Sequence, residues 1–359
     1  MRLSIVDLAQ VPPGGNARSA FANSIALAQR AEELGYHRFW VAEHHGIGGS
    51  IASSCPPVLI GQIAAATRSI RVGSGSVLLD YTNPMPVAEQ FQVLHAMFPD
   101  RIDLGIGRAS SGSPTVDHAL RGRSSTAVDA GTEGSDSDPV AGLMALMEHE
   151  ARVTEVVRWI DRDFPDDHPY ARVELLPGVD SGPQVWLLGA SLASAALAGR
   201  LGLPYCYAAF INPLQARAAF AIYRGAFRPA MSANRLESPY AMLGVHLCCA
   251  ETDEEAARLR ASADLFHLDL AARAAGPDAG RPAPLLDPDS ALRALDGCDV
   301  PAHLASRQLS GGPERVRALL DELGAATSAD EIIIQDLVAD HAARVRSYEL
   351  IAEACASGA

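Results

Sequence analysis

The chain contains no lysine; all 29 of its basic residues are arginine. No ε-amino group can form a Schiff base with pyridoxal phosphate or a carbonyl substrate, and none can reach a nucleotide phosphate from a P-loop. Any anion has to be held by arginine, hydroxyls or backbone N–H groups. Cysteine is scarce: the six residues Cys55, Cys206, Cys248, Cys249, Cys298 and Cys355 form no C-x-x-C pair. Zinc-ribbon and thioredoxin-like readings fail on that spacing. Cys248–Cys249 lies in an apolar run and reads as core. No apolar run approaches a membrane span, and the one in Met1–Val11 is too short for a signal peptide. Positive charge is in deficit, 29 basic against 43 acidic residues for a net charge of −14. With no basic patch to offset it, nucleic acid is not an expected partner. The acidic cluster Asp161, Asp163, Asp166 and Asp167 contains Pro165 and lacks the EF-hand glycine, so it reads as a solvated turn, and no metal site is expected. Together these absences imply a soluble, reduced, cytoplasmic protein.

What is present is a regular alternation. The chain has 359 residues, 48% of them hydrophobic, enough for a large core. Strands are expected at Leu3–Leu8, Phe39–Gly46, Ile70–Leu79, Asp100–Arg108, Gln184–Gly189, Pro204–Phe210, Ala241–Ala250 and Glu331–Gln335. Helical periodicity follows most of them, at 17–34, 57–67, 86–97, 140–161, 191–201, 213–227, 313–324 and 341–355. Eight strands with helical crossovers favour a closed (β/α)8 TIM barrel over an open sheet, with residues 1–359 as one domain. Two stretches break the pattern. Residues 121–138 are rich in Ser, Thr, Gly and Asp and read as a flexible loop. Residues 272–310 are proline-rich without clean periodicity and read as an insertion before the last strand.

Three constellations carry chemistry. The second strand runs Phe39-Trp40-Val41-Ala42 and ends in Glu43-His44-His45. A carboxylate and two imidazoles at the carboxyl end of a barrel strand fall where such barrels keep their active sites, and an imidazole can move a proton at neutral pH. Neighbouring histidines on a strand face opposite ways, so the pair is a poor metal site. The bland reading is two structural histidines. The run Gly73-Ser74-Gly75-Ser76 ends the third strand; small residues there let a flat ligand approach the backbone, or simply allow close packing. Neither this run nor Gly105-Ile106-Gly107 completes G-x-G-x-x-G, so a Rossmann site is disfavoured. Arg108, Gly189, Ala190, Ser191 and Ser194 end the fourth and fifth strands. One arginine, two hydroxyls and a helix N-terminus suit a phosphate monoester, although N-capping and a surface ion pair explain each part separately.

These stretches together resemble the bacterial luciferase-like flavin monooxygenases. The likeness runs from Leu3 to Leu203 and resumes in the last strand and helix. It is strongest at Gly35–His45, Ile70–Leu79, Glu89-Gln90 and Arg101–Arg108. Ser4–Pro13, Ile60–Gly75 and Phe164–Val173 look most like a natural-product-pathway subgroup. The resemblance implies a barrel that binds reduced FMN at its C-terminal face, supplied by a separate flavin reductase. Oxygen would add at the flavin C4a position, and the hydroperoxide would oxygenate a small organic substrate. His44 matches the family's catalytic histidine and His45 its neighbour, with Glu43 beside the cofactor. Gly75–Ser76 matches a non-proline cis peptide under the flavin ring, and Arg108, Ser191 and Ser194 match phosphate-holding positions. The insertion 272–310 matches a mobile lid, Arg121 and Arg123 stand near a second phosphate arginine, and a homodimer is the family expectation. Gly107 and Ala190 depart from luciferase's cysteine and glutamate, so light emission from an aldehyde does not follow. Use of the deazaflavin F420 on the same fold, or a non-catalytic flavin-binding subunit, remain the alternatives.

Overall fold

The computed structural model describes residues 1–47, 49–108, 113–121, 139–229, 236–274 and 284–356. Its strands are β1 (Arg2–Asp7), β2 (Arg38–Val41), β3 (Arg71–Ser74), β4 (Val77–Leu78), β5 (Ile102–Gly107), β6 (Gln184–Gly189), β7 (Tyr205–Ala208), β8 (Ala241–Cys249), β9 (Gln308–Gly311) and β10 (Glu331–Gln335). Eight of them close a parallel barrel in the order β10-β1-β2-β3-β5-β6-β7-β8, completed by the β8–β10 pairing. β4 resumes the line of β3 two residues later and pairs with β5, while β9 extends the far half of β8. This is a (β/α)8 TIM barrel whose strands are largely buried on both faces because helices cover the outside.

Local chemistry sets the helix limits. Asn16 caps the helix Ala17–Glu33 reciprocally with Ser19, and Pro56, Pro84 and Pro313 open the helices Pro56–Ala66, Pro84–Met97 and Pro313–Thr327, where the missing N–H costs nothing. Two cores result. The outer one lies between strands and helices and includes Ile5, Phe39, Val72, Leu104 and Ile332. The inner one fills the barrel with Val6, Trp40, Trp186, Met242 and Ile333. Trp40 and Trp186 meet edge to face, with ring centroids 5.1 Å apart. Truncating either to Ala would cost about 3–5 kcal/mol.

Below the tryptophans the barrel is closed by charge. Arg38 reaches Asp103 at 2.7 Å and Glu331 at 3.2 Å, and Arg71 takes the other oxygen of Asp103. The indole of Trp40 donates to Asp103 at 3.0 Å, and Tyr240 donates to Glu331 at 2.7 Å. The two guanidiniums hold the Asp103 carboxyl below its ordinary range despite its burial.

The structure departs from the sequence reading at four places. β2 stops at Val41, so Glu43, His44 and His45 lie on the loop beyond it rather than on a strand. A 22-residue helix, Asp253–Ala274, fills a stretch for which no element was expected. The described part of 272–310 is not structureless: it forms the helices Pro288–Leu295 and Ala302–Ala305 and the strand β9. A further short helix, Pro114–Arg121, follows β5. Most of the 121–138 loop, and Arg123 with it, lies outside the described residues.

Candidate active site

The expected site residues follow the C-terminal ends of four strands that are neighbours in the barrel: β2, β3, β5 and β6. The loop after β2 is fixed by its backbone. The N–H of Ala42 donates to Asp7, that of His44 to Ser53, and that of Ala52 to Ala9. The Ser53 hydroxyl turns back onto the Ala42 carbonyl.

On this support the three polar residues part company. Glu43 accepts from the backbone N–H of Leu78 at 2.9 Å through one oxygen and meets His45 Nε2 at 2.7 Å through the other. It therefore clamps the end of β2 to β4. His45 packs edge-on to Tyr81 at 6.3 Å. Tyr81 donates to Asp117 at 2.6 Å, and the Arg121 guanidinium sits 5.8 Å from its ring centre. Glu43 and His45 are thus structurally engaged, and Arg121 stands beside them.

His44 is different. The residue is partly exposed, yet its Nδ1 is out of contact with water and has no hydrogen-bond partner among the described residues. Burial, helped by the neighbouring His45, pushes its pKa down to about 4. It is therefore neutral at pH 7, able to donate from one nitrogen and accept at the other.

The Gly75–Ser76 peptide is cis. The glycines around it have a physical reason that needs no ligand. A Cβ on Gly75 would stand 3.1 Å from the Trp40 ring, and one on Gly107 would stand 2.2 Å from Ser76 Oγ. Gly75 is crowded by side chains of β1 and β2, and Gly107 by Ser76. The Ser76 side chain fills the space beside Gly107, the position that departs from luciferase.

Arg108 follows β5, is exposed, and makes no hydrogen bond or ion pair with any described residue. Ser191 is the N-cap of the helix Leu192–Arg200, accepting from the Ser194 N–H at 3.2 Å. Ser194 does not offer its hydroxyl outward: it lies 2.8 Å from the Ser191 carbonyl and 2.9 Å from the Tyr205 hydroxyl. It packs on Gly189, where a Cβ would come within 2.4 Å of its Oγ. Ala190 contributes only backbone, its carbonyl 3.4 Å from the Tyr207 hydroxyl.

The donor set suits a flavin that carries a phosphate. It holds a buried imidazole nitrogen and a guanidinium, neither with a partner among the described residues, and a hydroxyl-capped helix N-terminus at which an anion is favoured. No group of three or more His, Cys, Asp or Glu side chains among the described residues could hold a metal. No described helix is long and apolar enough to cross a membrane. Sequence reasoning also passed over His246 on β8 and His267 on the helix Asp253–Ala274, whose rings lie 4.9 Å apart. The first could have been found from strand alternation with Met242; the second stands on the unexpected helix.

Comparison with known proteins gives the family and the fold. The luciferase-like monooxygenase family matches residues 1–331. A luciferase-like monooxygenase of Escherichia coli K12 is 37% identical over 347 residues, 97% of this chain and 95% of that one. The crystal structure of apo-MsnO8 is 40% identical with a TM-score of 0.81, covering 98% of this chain and 97% of that one. Two more distant structures share the fold. The FMN complex of the oxygenating constituent of Pseudomonas putida 3,6-diketocamphane monooxygenase is 19% identical, with a TM-score of 0.66 and coverage of 98% and 97%. An F420-dependent secondary alcohol dehydrogenase is 16% identical, with a TM-score of 0.66 and coverage of 99% and 99%. The chain is an oxidoreductase that belongs to the luciferase-like monooxygenase family.

Proposed function

We propose that this chain is the oxygenating component of a two-component flavin-dependent monooxygenase. A separate flavin reductase delivers reduced FMN, and O₂ and a small organic substrate meet it at the barrel mouth. One oxygen atom enters the substrate and the other leaves as water. The observation that carries this reading is the neutral His44, with its buried unpartnered Nδ1, at the mouth of a luciferase-like barrel.

Reduced FMN, when bound, supplies the electrons and the oxygen activation. The chain's own residues do the rest. Arg108, Ser191 and the N-terminus of the helix Leu192–Arg200 hold the phosphate. Ser194 fixes Ser191 through its carbonyl. His44 holds or moves a proton at the reacting centre; its low pKa keeps it from being trapped as a cation at neutral pH. Glu43 and His45 keep the loop on β4. The segment 272–310, with its two helices, acts as the lid that keeps water out. The substrate is a natural-product-type organic molecule, and the working form is a cytoplasmic homodimer.

The test is titration with FMN, reduced FMN and F420, followed by oxygen-dependent product analysis. Reduced FMN should bind and support oxygenation. His44→Asn should bind flavin within about threefold of wild type while turnover falls at least about 100-fold. Unchanged turnover in that variant would overturn the role of His44. Anaerobic hydride transfer with F420, and none with reduced FMN, would move the chain to the F420 reading. Absence of product with any flavin would leave it a binding subunit.

A further inference from the structure

A recess lies away from the mouth, on the outer side of the barrel. The chain leaves the helix Pro139–Asp161 and runs through residues 162–183 before entering β6 at Gln184. Gln184 pairs with Asp103 and accepts from Arg38 at 3.3 Å, so this segment joins the barrel at its charged base. Ser181 ties it to the end of the helix Pro84–Met97, 2.8 Å from Nε2 of His95. Successive turns shape the segment. The N–H of His168 donates to Pro165, that of Ala171 to His168, that of Val173 to Tyr170 and that of Gly178 to Leu175. Between these turns and the helix end is a cavity of about 300 Å³, the size of a small-metabolite site.

One wall of the cavity is aromatic. Tyr170 stacks on Trp159 with ring centroids 5.2 Å apart, and Phe164 meets the two rings edge-on at 4.7 and 5.7 Å. Trp159 is buried in the outer core, while Tyr170 is 41% exposed. The Tyr170 ring is thus held in place from behind and left uncovered in front. The rim is charged: Arg162, Arg172 and Glu174 line the cavity and are exposed. Arg162 follows the helix in the left-handed region, at φ 56°, where helices usually place glycine. Its guanidinium donates to the Val179 carbonyl. A carboxylate oxygen of Glu174 lies 3.9 Å from where a Cβ of the adjoining Gly178 would stand. A cation and an anion therefore come to neighbouring residues of one turn without pairing. Arg172 and Glu174 make no hydrogen bond or ion pair with any described residue.

We propose that this recess binds an aromatic α-amino acid. The ring lies on Tyr170, the carboxylate is held by Arg162 and Arg172, and the ammonium group by Glu174. A neutral arene would leave the charged rim unused. A simple aromatic acid would bring its carboxylate beside that of Glu174, and a simple amine would face two guanidiniums. A head group with both charges on one carbon meets both signs at once. The site goes beyond the monooxygenase reading and does not depend on it.

The probes are L-phenylalanine, phenethylamine, which lacks the carboxylate, and 3-phenylpropionate, which lacks the ammonium group. Binding of each to the full chain is measured by calorimetric titration without flavin. Wild type should bind L-phenylalanine at least about fivefold more tightly than either of the others. In the double variant Arg162→Gln/Arg172→Gln, L-phenylalanine should bind no better than phenethylamine. In Glu174→Gln, it should bind no better than 3-phenylpropionate. Each variant should still bind the probe that lacks the matching group within about twofold of wild type, which also reports folding. No binding of L-phenylalanine up to about 10 mM, equal binding of the three probes by wild type, or preferences that survive the substitutions would overturn the proposal. Glu174 is exposed and has no partner to lose, so Glu174→Gln decides the matter even if the double variant does not fold. Since no flavin is present, failure here leaves the FMN titration untouched, and failure of that titration leaves this result standing.

Discussion

The two ends of the barrel treat polarity in opposite ways. At the base, Arg38 and Arg71 balance Asp103 and Glu331, and each carboxylate oxygen receives a donor. At the mouth, Nδ1 of His44, Oε1 of Gln10 and Nδ1 of His341 are buried without partners. An unmet buried polar atom costs about 1–3 kcal/mol. The base has completed its own bonding and holds the barrel shut. The mouth has left bonds unmade, which is the condition for receiving something else. Stability and chemistry are thus separated along the barrel axis.

Breaking the base should have the largest effect. Asp103→Ala takes one of the two carboxylate partners of the buried Arg38, leaving only Glu331, and releases Arg71 and the Trp40 indole. We expect a loss of about 3–5 kcal/mol in urea unfolding; a loss under about 1 kcal/mol would erase the contrast between the two ends.

The mouth can be probed by pH. The pKa of His44 is about 4 when folded, against 6.5 when free. Above pH 6.5 the ring is neutral in both states and contributes nothing. As pH falls through that window, the unfolded chain takes up a proton that the folded ring refuses, so wild type loses stability. His44→Asn should lose less, by on the order of 2 kcal/mol at the acid end, after allowance for the partly exposed ring. Parallel unfolding curves at both pH values would show an ordinary imidazole.

Arg108→Ser should weaken FMN by roughly tenfold or more and riboflavin hardly at all, since only FMN carries the phosphate. An equal loss for both would place the phosphate elsewhere. Ser191→Ala removes the helix cap along with a proposed phosphate contact, and in the flavin-free chain should cost about 1 kcal/mol in thermal unfolding; no change would mean that Ser194 and Tyr205 hold the helix end alone.

The barrel was legible because each strand is a short apolar run set between helical periods, a pattern that burial on both faces imposes. Where a strand ends was not legible. The Ala42 N–H still bonds across to Asp7 of β1, but beyond it the His44 N–H goes to Ser53 on the loop that follows, and β2 has stopped at Val41. The residue types Glu43-His44-His45 announced a site, but not that Glu43 and His45 would bind each other and leave His44 alone. The helix Asp253–Ala274 escaped notice because it buries two sides, one against β8 and β9 and one against Pro288–Leu295, so no single apolar stripe marks it. One local sign was there. Thr252 stands three residues before Glu255, a helix-start spacing, and the Glu255 N–H does donate to the Thr252 hydroxyl at 3.2 Å.

That same helix makes the mouth lopsided. With Ala263 and Phe266 pressed onto the β8 and β10 side, that side is walled by a helix, whereas Arg108 and Ser191 stand exposed on the β5 and β6 rim. On the proposed reading, the charged end of the cofactor takes the open rim, and the walled side is left to whatever it reacts with.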